Sequence, residues 1–279
     1  MIRREIRLAD GSSGWMLISQ IEHARISAQL AEHCVGRFSS PELAAVRDEV
    51  LAAILHHDDG WADWERAPEI DLKFGRPRSF MELGVSQAID VWSMSIASAE
   101  DQGPLAAWMV AGHFARLLEK SEHAQRDAAA IEWLAPMRPA REETLSAWQA
   151  RQPTIHTREA ADQALQWLWS FDELSLWLCC NCPTAEETAP DVEQRRIGVG
   201  TPIEMELSAS GAGVGVCGEL SRADEPARGL AFATPWRFDV EAINIDAVGR
   251  SAPARRYTSS ESLLAASEPH TLRWRLVSH

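Results

Sequence analysis

Four stretches of this sequence carry side chains able to do chemistry together: Gln20-x-x-His23-Ala24-x-x-Ser27, His56-His57-Asp58-Asp59-Gly60-Trp61, Gly112-His113-Phe114 and Phe171-Asp172-x-x-Ser175-Leu176. Imidazole nitrogen and carboxylate oxygen in one set suit a borderline-hard divalent ion such as zinc, iron or manganese. Each residue also has a plainer reading. His23, between Ile21 and Ile26, fits a hydrogen-bonded core histidine, and His57–Asp58 fits a polar pair at a helix end. Yet Asp58 and Asp59 at a helical C-terminus oppose the macrodipole and ask for a positive partner. His113 among Val110, Phe114 and Leu117, and Asp172 among Trp169, Phe171 and Leu174, are polar groups that are costly to bury alone. Taken jointly, the four stretches predict a site.

The elements that must position them are mostly helices. Apolar residues at three- and four-residue spacing predict helices over Leu17–Cys34, from Pro41 (capped by Ser39 or Ser40) to His56–Asp59, and over Met81–Ala99, Pro104–Lys120, Ser121–Leu134 and Arg158–Cys180. Breaks are expected at Gln102–Gly103 and Pro136–Pro139, and Pro183 ends the last helix. Bundles build ligand sites by pointing side chains inward from facing helices, and here the donors fall on four different ones. Trp61–Phe80, rich in Pro, Gly, Trp and charge, reads as a structured functional loop. A strand is expected over Ile2–Leu8. Beyond Thr184, alternation at Ile203–Leu207, Leu230–Phe232, Trp236–Val240 and Leu272–Val277 reads as β structure, which the opening strand can join. The predicted class is therefore mainly α, a helical bundle over 1–183 with a short N-terminal strand, and a small β-rich extension over 184–279 packed on it.

The length of 279 residues, 46% hydrophobic and 24% charged, describes an ordinary folded protein able to bury a core without disulfides. A formal charge of −14 with no basic groove argues against nucleic acid. No apolar run spans a membrane and no signal peptide is evident, so a cytoplasmic location is expected. Five cysteines are then expected to be thiols, Cys179, Cys180 and Cys182 packing in the core rather than binding metal. Gly211–Gly218 reads as a turn or hairpin, because no Lys-Ser/Thr follows it to make a phosphate loop.

The order His23, His57–Asp58, His113, Asp172 on a helical frame resembles the HD-domain superfamily of metal-dependent phosphohydrolases, whose signature is His…His-Asp…Asp on separate helices. A closer likeness is to the uncharacterised DUF3891 family, through LISQIEHARISAQLAEH (17–33), LHHDDGWADWERAPEIDLKFGRPRSF (55–80), VAGHFARL (110–117) and FDELSLWLCC (171–180). The superfamily resemblance implies an HD-domain-like bundle, with His23, His57, Asp58 and Asp172 as core metal ligands and His113 as an added ligand or phosphate-facing group. It also implies one or two divalent ions (Fe, Mn or Zn), with His123 a possible further donor. The activity implied is hydrolysis of a phosphate ester or other small anionic substrate. Within it, Asp59 is a candidate general base, Arg76 and Lys73 candidates to meet the anion, and Trp61, Trp64 and Phe80 candidate pocket walls. The alternatives are a non-haem iron or diiron oxygenase, or a non-catalytic metal-stabilised module that binds another protein. His57 rather than His56 completes the adjacent His-Asp pair. The residues leave homo-oligomerisation open.

Overall fold

A computed structural model describes residues 1–34, 40–184, 187, 192–209 and 228–279. The chain opens with an antiparallel hairpin of β1 (Ile2–Arg7) and β2 (Ser13–Ile18). Ser19 then caps α1 (Gln20–His33) by accepting from the Glu22 amide. Ser40 caps the short α2 (Pro41–Ala45), whose proline sits in the first turn, and α3 (Arg47–His56) follows. The Trp-rich segment is ordered by a 3-10 turn at Asp59–Trp61, α4 (Ala62–Arg66), a ribbon of β3 (Ile70–Asp71) with β4 (Arg76–Pro77), and a 3-10 turn at Phe80–Glu82. Four long helices complete the bundle: α5 (Val85–Gln102), α6 (Pro104–Lys120), α7 (Ala128–Arg151) and α8 (Arg158–Asn181).

The remaining elements are β5 (Val192–Ile197), β6 (Met205–Ala209), β7 (Gly229–Thr234), β8 (Ala242–Pro253), α9 (Ser260–Ala266) and β9 (Glu268–Ser278). They join the opening hairpin in one seven-stranded sheet of order β1-β2-β8-β9-β7-β6-β5, curled into a half-barrel. Only the β7–β9 pair is parallel among these neighbours. The fold is mainly helical, but its β part is neither small nor confined to the C-terminal end. Two strands before the first helix supply one edge, and β2 pairs with β8 from Gly14↔Pro253 to Ile18↔Gly249. This fastening of the chain ends is the expected one, on a larger scale.

One continuous core runs from the sheet (Ile18, Ile245, Trp274) into the bundle (Ile26, Phe114, Leu168, Phe171). Helix α6 is its axis, buried over Leu105–Ala115 and packed on α3, α5, α7 and α8, while α1 lies against α3 and α8. Several local expectations fail. The helix expected over Ser121–Leu134 begins only at Ala128, after a 3-10 turn at Ala124–Arg126. Helix α7 continues through Pro136 and Pro139. The carbonyls these prolines leave unbonded belong to Glu132 and Ala135, both exposed, so water takes over their bonds. Trp236–Val240 is not a strand: its indole donates to the Val240 carbonyl at 2.6 Å and closes the segment as a loop before β8. The glycine-rich run at 211–218 lies outside the described residues.

Candidate metal centre

The His57–Asp58 pair owes its position to the way α3 ends. His57 still has helical dihedrals and its Nδ1 donates to the Ile54 carbonyl at 2.7 Å, which leaves Nε2 as the nitrogen that faces the carboxylates and that a metal would take on displacing its proton. Asp58 departs from helical geometry and its side chain folds inward, with 4% of its surface exposed. Gly60 lets this turn press on α5. A Cβ there would sit 2.2 Å from the Val91 carbonyl oxygen and 2.5 Å from the Ser95 nitrogen, and its own amide donates to Ser95 Oγ at 3.0 Å. Helix α1 supplies His23 at 0% exposure, α6 supplies His113 from its buried row, and α8 supplies Asp172.

These five side chains converge. His23 Nε2 lies 3.0 Å from Asp172 Oδ1 and 3.7 Å from Asp58 Oδ2; His57 Nε2 lies 3.3 Å and 3.5 Å from the same two atoms. The His113 ring stands edge-on to His57 at 5.5 Å between centroids. Two triads able to chelate a metal result, His23/His57/Asp58 and His57/His113/Asp172, each with ligand atoms within 4.8 Å of one another. An ion with bonds near 2.1 Å places neighbouring donors about 3.0 Å apart in octahedral and about 3.4 Å apart in tetrahedral coordination. The two separations to Asp172, 3.0 and 3.3 Å, fall in that range, and the two to Asp58, 3.5 and 3.7 Å, lie just above it. His57 Nε2 and His113 Nδ1 are moreover buried without a hydrogen-bond partner, a costly state that a cation relieves.

Two serines complete the support of His23. Its Nδ1 meets Ser175 Oγ at 2.6 Å, Ser175 Oγ meets Ser27 Oγ at 2.6 Å, and Ser27 donates to the His23 carbonyl at 3.1 Å. His23 Nε2 hydrogen-bonds Asp172 Oδ1 at 3.0 Å; were a cation to take the place of that Nε2 proton, Nδ1–H would donate to Ser175 and the protons would run in one direction around this loop. The sequence alone gives these serines no role, although both lie four residues or fewer from a donor on the same helix.

The field inside the cluster sorts the imidazoles. Burial opposes charge on His57, but Asp58 and Asp172 outweigh it and push its pKa up to about 9. Burial dominates at His113, aided by neighbouring His57 and His23 and only partly offset by Asp172, so its pKa falls to about 4. At Asp172 burial works against ionisation, yet His113, His23 and His57 hold its carboxyl well below the ordinary range. A neutral imidazole and an ionised carboxylate are the states in which these groups bind metal.

A cavity of about 280 Å³ opens beside the cluster, with Asp58, His113 and Asp172 on its floor. Trp61, Phe80, Leu83, Trp92, Phe114 and Leu176 wall it. At its mouth Met81 is 72% and Leu117 43% exposed. Among the described residues no lysine or arginine lines it.

Other expected site residues sit elsewhere. Asp59 Oδ2 bonds His56 Nδ1 at 2.9 Å and accepts from Ser98 Oγ at 2.9 Å, joining the turn to α5, and it is not on the cavity lining. Arg76 pairs with Glu82 at 2.7 Å and lies over Phe74, while the Lys73 ammonium lies over the same ring. Trp61 and Phe80 are cavity walls; Trp64 packs edge-on against Trp61 from outside the lining. His123 is exposed, and His156 stacks on Trp148 and bonds its carbonyl. Among the described residues Cys179, Cys180 and Cys182 belong to no metal-like group, and burial raises all three thiols. No helix among those residues is long and apolar enough to cross a membrane.

Comparison with known proteins adds a family. No curated protein and no solved structure matches, and nothing links the chain to the HD-domain superfamily beyond the order of its donors. Residues 1–251, nine-tenths of the chain, match a family described as "Protein of unknown function (DUF3891)". The chain belongs to the DUF3891 family.

Proposed function

We propose that the protein is a metal-dependent hydrolase of a small molecule, with one divalent ion held by His23, His57, Asp58 and Asp172 and with His113 as a fifth donor. The observation that carries this reading is the convergence of five imidazole and carboxylate donors from four segments, three of which, Asp58, His113 and Asp172, form the floor of a cavity. One ion is favoured over two because both triads share His57, whose single free nitrogen serves one ion. A divalent ion so held supplies Lewis acidity, polarising a carbonyl or phosphoryl oxygen and lowering the pKa of a bound water.

The chain's own residues do the rest. Asp172 brings fixed negative charge, and His23 and His57 are locked in rotation by Ser175 and by the Ile54 carbonyl. His113 is kept neutral by burial and lines the cavity, the state in which its imidazole can coordinate. The aromatic walls exclude bulk water and strengthen every electrostatic contact at the floor. Asp59 and Arg76, engaged as they are with His56, Ser98 and Glu82, serve here as anchors of the Trp-rich segment.

The test is turnover of neutral aryl esters and aryl phosphates by metal-reconstituted protein, with Asp58→Ala alongside. Metal-dependent hydrolysis lost in the variant supports the reading; turnover equal in both overturns it. The apolar lining favours a second reading, a non-haem iron oxygenase, whose mark is an oxygen-dependent spectral change after anaerobic iron loading.

A further inference from the structure

We infer that the cavity takes a neutral ligand with an apolar body and one uncharged hydrogen-bonding group, and that Trp61 and Gln20 read that group. The inference rests on the proposed metal site only for where the reacting end lies. Its first support is the lining. Trp92 stacks on Phe114 at 5.2 Å between centroids and 16° between planes, which makes that wall a flat and rigid apolar surface. Phe80 stands edge-on to Trp61 at 6.4 Å. Leu117 and Met81, both partly or largely exposed, extend the apolar surface outward, with Ser121, among the described residues, the one hydroxyl beside them on the lining.

The second support is charge. The floor carries two carboxylates, Asp58 and Asp172, and among the described residues no cationic side chain lines the walls. A divalent ion on that floor cancels the two carboxylates and leaves no net positive charge for an anion. The cations of the adjoining segment are used elsewhere: Arg76 and Arg3 both pair with Glu82, and Arg78 pairs with Glu69. Burying a phosphate among aromatic rings without a partner charge carries a heavy desolvation cost.

The third support is a pair of orphaned polar atoms on residues that line the cavity. Trp61 Nε1 and Gln20 Oε1 are both buried and have no hydrogen-bond partner, and both residues line the cavity. Gln20 is 3% and Trp61 2% exposed, so neither atom is paid off by bulk water. One is a donor and the other an acceptor. A hydroxyl, an amide or an ester carbonyl with a neighbouring hydroxyl satisfies them; a hydrocarbon does not.

The probes are 1-naphthol, naphthalene and 1-naphthyl phosphate, which share a ring system and differ in the head group. Binding to metal-loaded and metal-stripped protein is followed by fluorescence titration, with metal content measured on the same samples. Naphthol is expected to bind at least tenfold more tightly than naphthyl phosphate. Ala88→Trp, which fills the cavity, is expected to weaken naphthol at least tenfold with metal content unchanged. Trp61→Phe should weaken naphthol about 2–10-fold and leave naphthalene unchanged. Leu117→Arg, at the partly exposed mouth, should reverse the order of naphthol and naphthyl phosphate. Tighter binding of the phosphate by the unaltered protein, or naphthol affinity indifferent to Ala88→Trp, overturns the inference. Naphthol binding with this pattern in protein that takes up no metal leaves the inference standing and removes the metal reading instead.

Discussion

Replacing Ser175 with alanine tests whether the serine loop orients the metal ligands. The substitution removes one hydroxyl, which lies 2.6 Å from His23 Nδ1, 2.6 Å from Ser27 Oγ and 3.1 Å from the Asp172 carbonyl. It leaves the His23 Nδ1–H facing a methyl group at 0% exposure. An unsatisfied buried donor costs about 1–3 kcal/mol, and the small volume change adds little, so metal-free protein should lose about that much stability. Partners that hold a ligating histidine are worth about 10–100-fold in metal affinity, equivalent to about 1.4–2.7 kcal/mol. Ser27→Ala breaks only the next link, since His23 keeps its bond to Ser175, and should cost less on both counts. Competition against a chelator of known affinity measures the first quantity and denaturant unfolding of stripped protein the second. Unchanged affinity in Ser175→Ala, or a larger loss in Ser27→Ala, refutes the reasoning.

Three further outcomes are expected. Metal-stripped protein should be most stable near pH 6.5. The stability from His57, raised to about 9 against burial by Asp58 and Asp172, is complete below its unfolded pKa and lost as pH rises through 9, by at most about 3 kcal/mol; that from His113, lowered by burial to about 4, is lost as pH falls from 6.5 towards 4. Denaturant unfolding at pH 5, 6.5 and 9 checks this, and stability still rising at pH 9 speaks against it. Gly60→Ala, which drives a Cβ into the α5 backbone at 2.2 Å, should cost about 1–3 kcal/mol or more and a few degrees of Tm, measured calorimetrically. Asp59→Asn should cost about 0.5–1.5 kcal/mol through the His56 and Ser98 bonds while metal content stays intact; release of metal would place Asp59 at the centre after all.

The cluster was legible in the sequence for a physical reason. His113 and Asp172 stand out because each interrupts an apolar helical face, and His57–Asp58 because adjacent donors end a helix where acidic charge is unwelcome. The helices followed from the same periodicity, and Pro104–Lys120 begins and ends where the pattern does. Ser27 and Ser175 were silent because helix serines ordinarily bond their own backbone, and only the approach of α1 to α8 turns them toward each other. Strand β2 was hidden because SGWMLI runs directly into the pattern of α1, and β8 because Ala, Gly, Asp and Pro take places usually held by branched residues. Neither strand shows its sheet partner in sequence, so the sheet read as small. The character of the cavity was equally hidden: its walls gather from the Trp-rich segment, α5, α6 and α8, and the cations beside them are drawn off by Glu82 and Glu69.

The central claim is that His23, His57, Asp58, His113 and Asp172 hold one divalent ion. Elemental analysis of protein purified anaerobically without chelator tests it most directly, reported as moles of each metal per chain, with Asp58→Ala and His57→Ala purified in parallel and their folding checked by circular dichroism. One equivalent of iron, manganese or zinc, lost in both folded variants, is the predicted result. Metal absent from all three proteins after anaerobic reconstitution, or retained at one equivalent in the variants, contradicts it.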